Sequence, residues 1–240
     1  MQESSDFFAF MSGVPAVAGL ILTGLTIFLT SDWRLSLTAL LIQYVLIGLA
    51  LTRFVQAEVA IVKILIGVLS VFILYLTARR VQEMSESQQA ERGTPRFFGL
   101  HVGWAAGPLG LPLRLLVILL VTLGLVRLFN GPRTSLSALP ALFAVESLGV
   151  SPDIVFVAFW LGSMGMVGLV LSDEPLRVAP ALLTILAGFD LGYASLEPSL
   201  AIVGFFGALT LLAALAFSYL AIAQGLSTSP AGPDEEEAEP

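Results

Sequence analysis

Two side chains carry charge where a chain of this composition has least use for it. Lys63 lies about six residues into the apolar run from Ala57 to Ala78, and Asp190 lies well inside the run from Arg177 to Glu197. An ionisable group inside a membrane costs several kcal/mol, so it has a partner or a task. A lysine and a carboxylate can neutralise each other as a buried bridge, or pass a proton between a site and its surroundings. The types alone leave both readings open, and Asp190 can equally pair with a neighbouring subunit.

The case for the pair is one of depth. If the helices alternate in direction, Lys63 and Asp190 both fall in the same half of the bilayer, roughly 4–8 Å from its midplane at 1.5 Å per residue. Gly188 and Gly192 flank Asp190 in a GxxxG pattern, which predicts close approach of another helix to that face. Tyr193 is near enough in sequence to offer a hydrogen bond close by. Glu58 sits at the mouth of the same run as Lys63, where pairing with Arg53 or reaching to the interface costs little. Glu58 and Lys63 are five residues apart, about 140° around a helix, and make a poor intrahelical pair. Relay or ion-pair chemistry therefore rests on Lys63 and Asp190, with Glu58 and Tyr193 secondary.

The elements that hold these groups follow from composition. The 240 residues are 57% hydrophobic and 12% charged, with mean hydropathy +0.93, more apolar surface than a soluble domain of this size can hide. The fold class is all-α, a polytopic transmembrane helical bundle. About seven segments have the length of a span: Phe10 to Thr30, Leu35 to Leu51, Ala57 to Ala78, Leu113 to Phe129, Ile154 to Leu171, Arg177 to Glu197, and Ser199 to Ala223. Gly162, Gly165 and Gly168 favour close packing of the fifth. The organisation is 1–80 for helices 1–3, 81–112 for a polar loop and interfacial segment, and 113–153 for helix 4 and a connector. Residues 154–223 supply helices 5–7, and 224–240 an acidic, disordered tail. The connector, with Pro140 and Pro152, is expected along the surface, His101 in a loop, and the Trp residues at the interfaces. No Lys or Arg precedes Arg34, so the first apolar run reads as a retained span rather than a secretory leader.

With the N-terminus outside and the C-terminus inside, the inner loops hold seven arginines and the outer loops three, as the positive-inside rule requires. The formal net charge of −7 is dominated by the tail, and no basic cluster suits a nucleic acid. With no cysteine and one histidine, thiolate chemistry and a histidine-built metal or haem site are excluded, so no cofactor is expected. No catalytic constellation is present in the sequence, and an enzyme is not expected.

These residues carry a family resemblance. The stretch Ile61-Val62-Lys63-Ile64-Leu65, continuing to Leu74-Tyr75-Leu76-Thr77-Ala78-Arg79-Arg80, is similar to the lysine-bearing helix of hydrogenase-4 component E. Glu174-Pro175-Leu176-Arg177 followed by Ala187-Gly188-Phe189-Asp190-Leu191 resembles the small K subunit of complex I and the C subunit of multisubunit sodium/proton antiporters. The resemblance implies a non-catalytic subunit of a proton- or sodium-translocating complex, in a prokaryotic-type cell (inner) membrane, beside antiporter-like subunits. By position, Lys63 and Asp190 would inherit the family's mid-membrane lysine and acid. Two departures stand out. Asp replaces the expected Glu, and the last helix offers Thr210, Ser218 and Tyr219 where the complex I subunit has a second acid. The competing expectations are a stand-alone small-solute transporter, which needs a polar site at broken helices, and a structural or assembly membrane protein.

Overall fold

A computed structural model describes residues 13–30, 32–53, 55–91, 110–130, 152–172, 175–196 and 199–227. Seven helices run through them: α1 (Val14–Leu29), α2 (Trp33–Leu51), α3 (Ala57–Glu91), α4 (Gly110–Asn130), α5 (Pro152–Val170), α6 (Pro175–Leu196) and α7 (Leu200–Ser227). No strand occurs among the described residues. Six of the helices are long and apolar enough to cross a membrane, and α1 is the shorter one. The chain is an integral multi-pass membrane protein.

Local chemistry sets the helix boundaries. The Asp32 carboxylate accepts a hydrogen bond from the Arg34 backbone N–H at 2.9 Å and caps α2. Proline sits in the first turn of α1 and at the start of α5 and α6, where its missing N–H has no helical role. Pro180 lies inside α6 and removes the hydrogen bond that the Leu176 carbonyl would otherwise accept. Residues 81–91, expected to open a polar loop, instead extend α3 through Glu91. Their Gln, Glu, Met and Ala are good helix formers, and polarity ends a membrane span without ending a helix.

The helix ends group as alternating spans require. Arg53 Nη1 meets Asp153 Oδ2 at 3.4 Å, joining the end of α2 to the start of α5. At the opposite end Arg34 reaches Gln82 at 3.4 Å, and Arg114 reaches the Phe28 carbonyl at 3.5 Å.

Within the bundle α2 and α6 are central. α2 packs on α1, α3 and α6, while α6 packs on α5 and α7; the α5–α6 contact is the most extensive and α3–α7 follows. Glycines bring these backbones together. A Cβ on Gly188 would lie 2.8 Å from the Ala158 carbonyl oxygen and 2.9 Å from the Gly162 nitrogen, and one on Gly165 would lie 2.7 Å from the Ala181 carbonyl oxygen. The GxxxG expectation for Gly188 and Gly192 is met by α5, whose Ala158 faces both. α4 is peripheral, touching α5 and α1, with Leu116, Leu119 and Leu120 directed outward. Such apolar side chains form the lipid-facing surface of the bundle.

Trp160 is not an interface anchor. It is fully buried on α5, and its Nε1 donates to Thr122 Oγ1 on α4 at 3.2 Å. An indole can fill a core when its N–H finds a partner. Trp104, His101, residues 131–151 of the connector and residues 228–240 of the tail lie outside the described residues. Residues 224–227, expected in the disordered tail, instead complete α7, and 152–153 open α5.

Candidate functional site

Lys63 is one of the largest fully buried side chains in the protein. Its position on α3 turns it toward the centre, between α2, α6 and α7. There Lys63 Nζ stands 2.7 Å from Asp190 Oδ2, with both side chains 0% exposed. The match in depth argued from the sequence thus becomes a direct contact.

The contact is an ion pair at hydrogen-bonding distance. An ammonium has three donors and a carboxylate about four acceptor positions, so both groups keep hydrogen-bonding capacity beyond this one contact. This geometry leaves both groups able to engage a further polar atom.

Tyr44, on α2, completes the centre. Its ring lies 5.9 Å from Lys63 Nζ, close enough for the cation to feel the ring's negative face. The tyrosine is fully buried, and its hydroxyl donates to the Leu183 carbonyl of α6 at 3.4 Å. Thr210 on α7 and Asp190 are the polar neighbours of that hydroxyl. Gly67 is what admits the ring: any side chain there would strike the Tyr44 Cβ and Cγ. Thr210 Oγ1 donates to its own helix at Phe206 O, 2.7 Å away, so its oxygen can act only as an acceptor while that bond holds. Four helices thus converge on one small polar centre in an apolar bundle.

The secondary residues do not join it. Glu58 is exposed at the start of α3, and Arg53, its expected partner, bonds Asp153 instead. Tyr193 is 49% exposed and points outward, its ring tilted against Phe206 at 6.2 Å. Three residues beyond Asp190, it stands only about 60° around α6 from the carboxylate, enough to place its ring at the bundle surface against Phe206 rather than in the centre.

Tyr44, Thr210 and the fully buried Gln43 were not singled out from the sequence as parts of a site. A signal was present: Gln43-Tyr44 interrupts the second apolar segment about ten residues in, near the depth already assigned to the charges. Among the described residues no group of three or more metal-binding side chains occurs. Comparison with protein-family models, curated proteins and solved structures gives no match to this chain.

Proposed function

We propose that the protein is a non-catalytic membrane subunit of a complex that moves protons or sodium ions, with Lys63 and Asp190 as its ion-responsive centre. The observation that carries this reading is the 2.7 Å contact between two fully buried, opposite charges in the middle of an apolar bundle. An intramembrane acid and base in contact suit a relay, since a proton passed from the ammonium to the carboxylate leaves the pair neutral. Exchange with the surroundings changes the pair's net charge and so couples it to the movement of another ion. The family resemblance noted at residues 61–80 and 174–191 supports a setting beside antiporter-like subunits in a prokaryotic-type inner membrane. The distribution of arginines supports the end bearing Asp32, Arg79, Arg114 and Arg177 as the inner one.

The test has two readouts. The tagged chain is extracted in mild detergent and its companions identified, and ion movement is followed in membrane vesicles with wild-type and Asp190→Asn chains. The expected result is co-purification of antiporter-like subunits, with Asp190→Asn reducing translocation more than assembly. Equal loss of assembly and translocation would assign the pair to architecture. A chain that purifies alone, under conditions that keep known complexes intact, would favour a self-contained transporter.

A further inference from the structure

A partly open cavity of about 40 Å³ lies at the end of the bundle where α1 and α5 finish and α2, α4 and α6 begin. Asp32, Arg114 and Arg177 stand at its rim, and Ser36 and Thr184 are its deeper polar residues. This volume and lining suit water, which needs little room and a few polar partners.

Two features lie above it. Gln43 is on the same face of α2 as Ser36, seven residues and about 10 Å further in. It is fully buried, and neither its Oε1 nor its Nε2 has a hydrogen-bond partner among the described residues. An amide in apolar surroundings with both ends unpaired is costly unless something polar comes to it. The second feature is Tyr44. Its hydroxyl is held by the carbonyl of Leu183, the residue next to cavity-lining Thr184, while its ring borders Lys63. At 3.4 Å that hydrogen bond is long, and weak bonds open readily. One tyrosine therefore links the residue beside the cavity wall to the ion pair.

We infer that the cavity, Gln43 and Tyr44 form a one-sided access route that brings water, and the protons it carries, to Lys63 and Asp190. Ser36 and Thr184 line its vestibule, Gln43 serves the water beyond it, and the Tyr44 hydroxyl closes it when bonded to Leu183. The route rests on the reading of the pair as an ion relay. It gives that relay a defined side, the end bearing Asp32, Arg114 and Arg177.

The native sequence contains no cysteine, so single cysteines report without a background. Ser36→Cys, Thr184→Cys and the near-isosteric Thr210→Cys are each placed in the full chain, in sealed vesicles of both orientations, with lipid-facing Leu119→Cys as control. Silver ion added outside is the probe. After quenching and unfolding, the thiols still able to take a maleimide are counted by mass spectrometry. Cysteines at 36 and 184 are expected to be protected in one vesicle orientation only, and the one at 210 to react far more slowly. Tyr44→Phe, which keeps the ring, should speed reaction at 210 about fivefold, the equilibrium worth of one net hydrogen bond. Tyr44→Ala should speed it further, and reaction at 36 should not change in either background. Silence at 36 and 184, or equal reaction from both sides, would overturn the route. A rate at 210 indifferent to Tyr44→Phe would overturn the gate. Ion translocation is not scored, so a chain that proves to act alone leaves these outcomes readable, and failure of the route leaves the subunit reading to its own test.

Discussion

The buried ion pair makes a quantitative prediction about what each charge is worth alone and together. At 2.7 Å and an effective dielectric constant of about 20, the attraction between Lys63 and Asp190 is about 6 kcal/mol, set against a desolvation cost of several kcal/mol for each ion. The pair is therefore close to break-even against well-packed apolar side chains, but either charge without the other is a large liability. Lys63→Met and Asp190→Leu, made singly, should each destabilise the fold by about 3–5 kcal/mol. Combined, they should leave stability unchanged or raised by about 1–4 kcal/mol. The corresponding double-mutant cycle has a coupling energy of several kcal/mol. The assay is reversible unfolding in mixed micelles, titrated with a denaturing detergent and followed by the fluorescence of the buried Trp160. The double variant should regain the fold yet remain deficient in ion translocation. Two results would refute the reasoning: additive losses, meaning that the residues have independent partners, or full translocation in the refolded double variant, meaning that their charge was never used.

Other consequences are more local. Gly188→Ala pushes a methyl group against the backbone of Ala158 and Gly162 and should cost about 1–3 kcal/mol in the same unfolding assay, whereas Gly124→Ala and Gly204→Ala, with open space around them, should be neutral or stabilise by up to about 1 kcal/mol. Thr122→Val removes the acceptor of the Trp160 indole N–H; leaving that donor buried and unpaired should cost about 1–3 kcal/mol and loosen α4, seen as faster proteolysis at the α4 ends. Arg53 and Asp153 are 24% and 39% exposed, so Arg53→Ala should shift stability by less than about 1 kcal/mol, with an effect that fades at high salt.

Much of this architecture is legible in the sequence, because the bilayer imposes a length and a polarity on every spanning helix. The segments read at Leu35 to Leu51 and Ile154 to Leu171 differ from α2 and α5 by at most a few residues. Lys63 and Asp190 are legible as a pair because depth follows from residue counting, and Gly188 because a small residue beside a buried acid marks a close contact. What escapes the sequence is direction around each helix. Tyr193 looks like a neighbour of Asp190 in the chain but turns outward, while Tyr44, far away in sequence, turns in. Trp160 reads as an anchor because tryptophan favours interfaces, and only the acceptor at Thr122 makes its burial affordable. The helical extension of α3 escapes for a different reason: hydropathy records where the lipid ends, not where the helix does.

The separation of the two charges along the chain has a consequence for how the protein is made. Lys63 leaves the ribosome well before Asp190, with a lag of roughly 6–25 s at 5–20 residues per second. Throughout that interval α3 carries an uncompensated cation. Lys63 lies near enough to the start of α3 for its flexible stem to extend toward the headgroups and wait there. Completion of the fold then requires it to withdraw inward once α6 has delivered the carboxylate. A nascent chain halted before α6 should hold α3 only shallowly in the bilayer, and arrival of Asp190 becomes the event that commits the bundle to its final register.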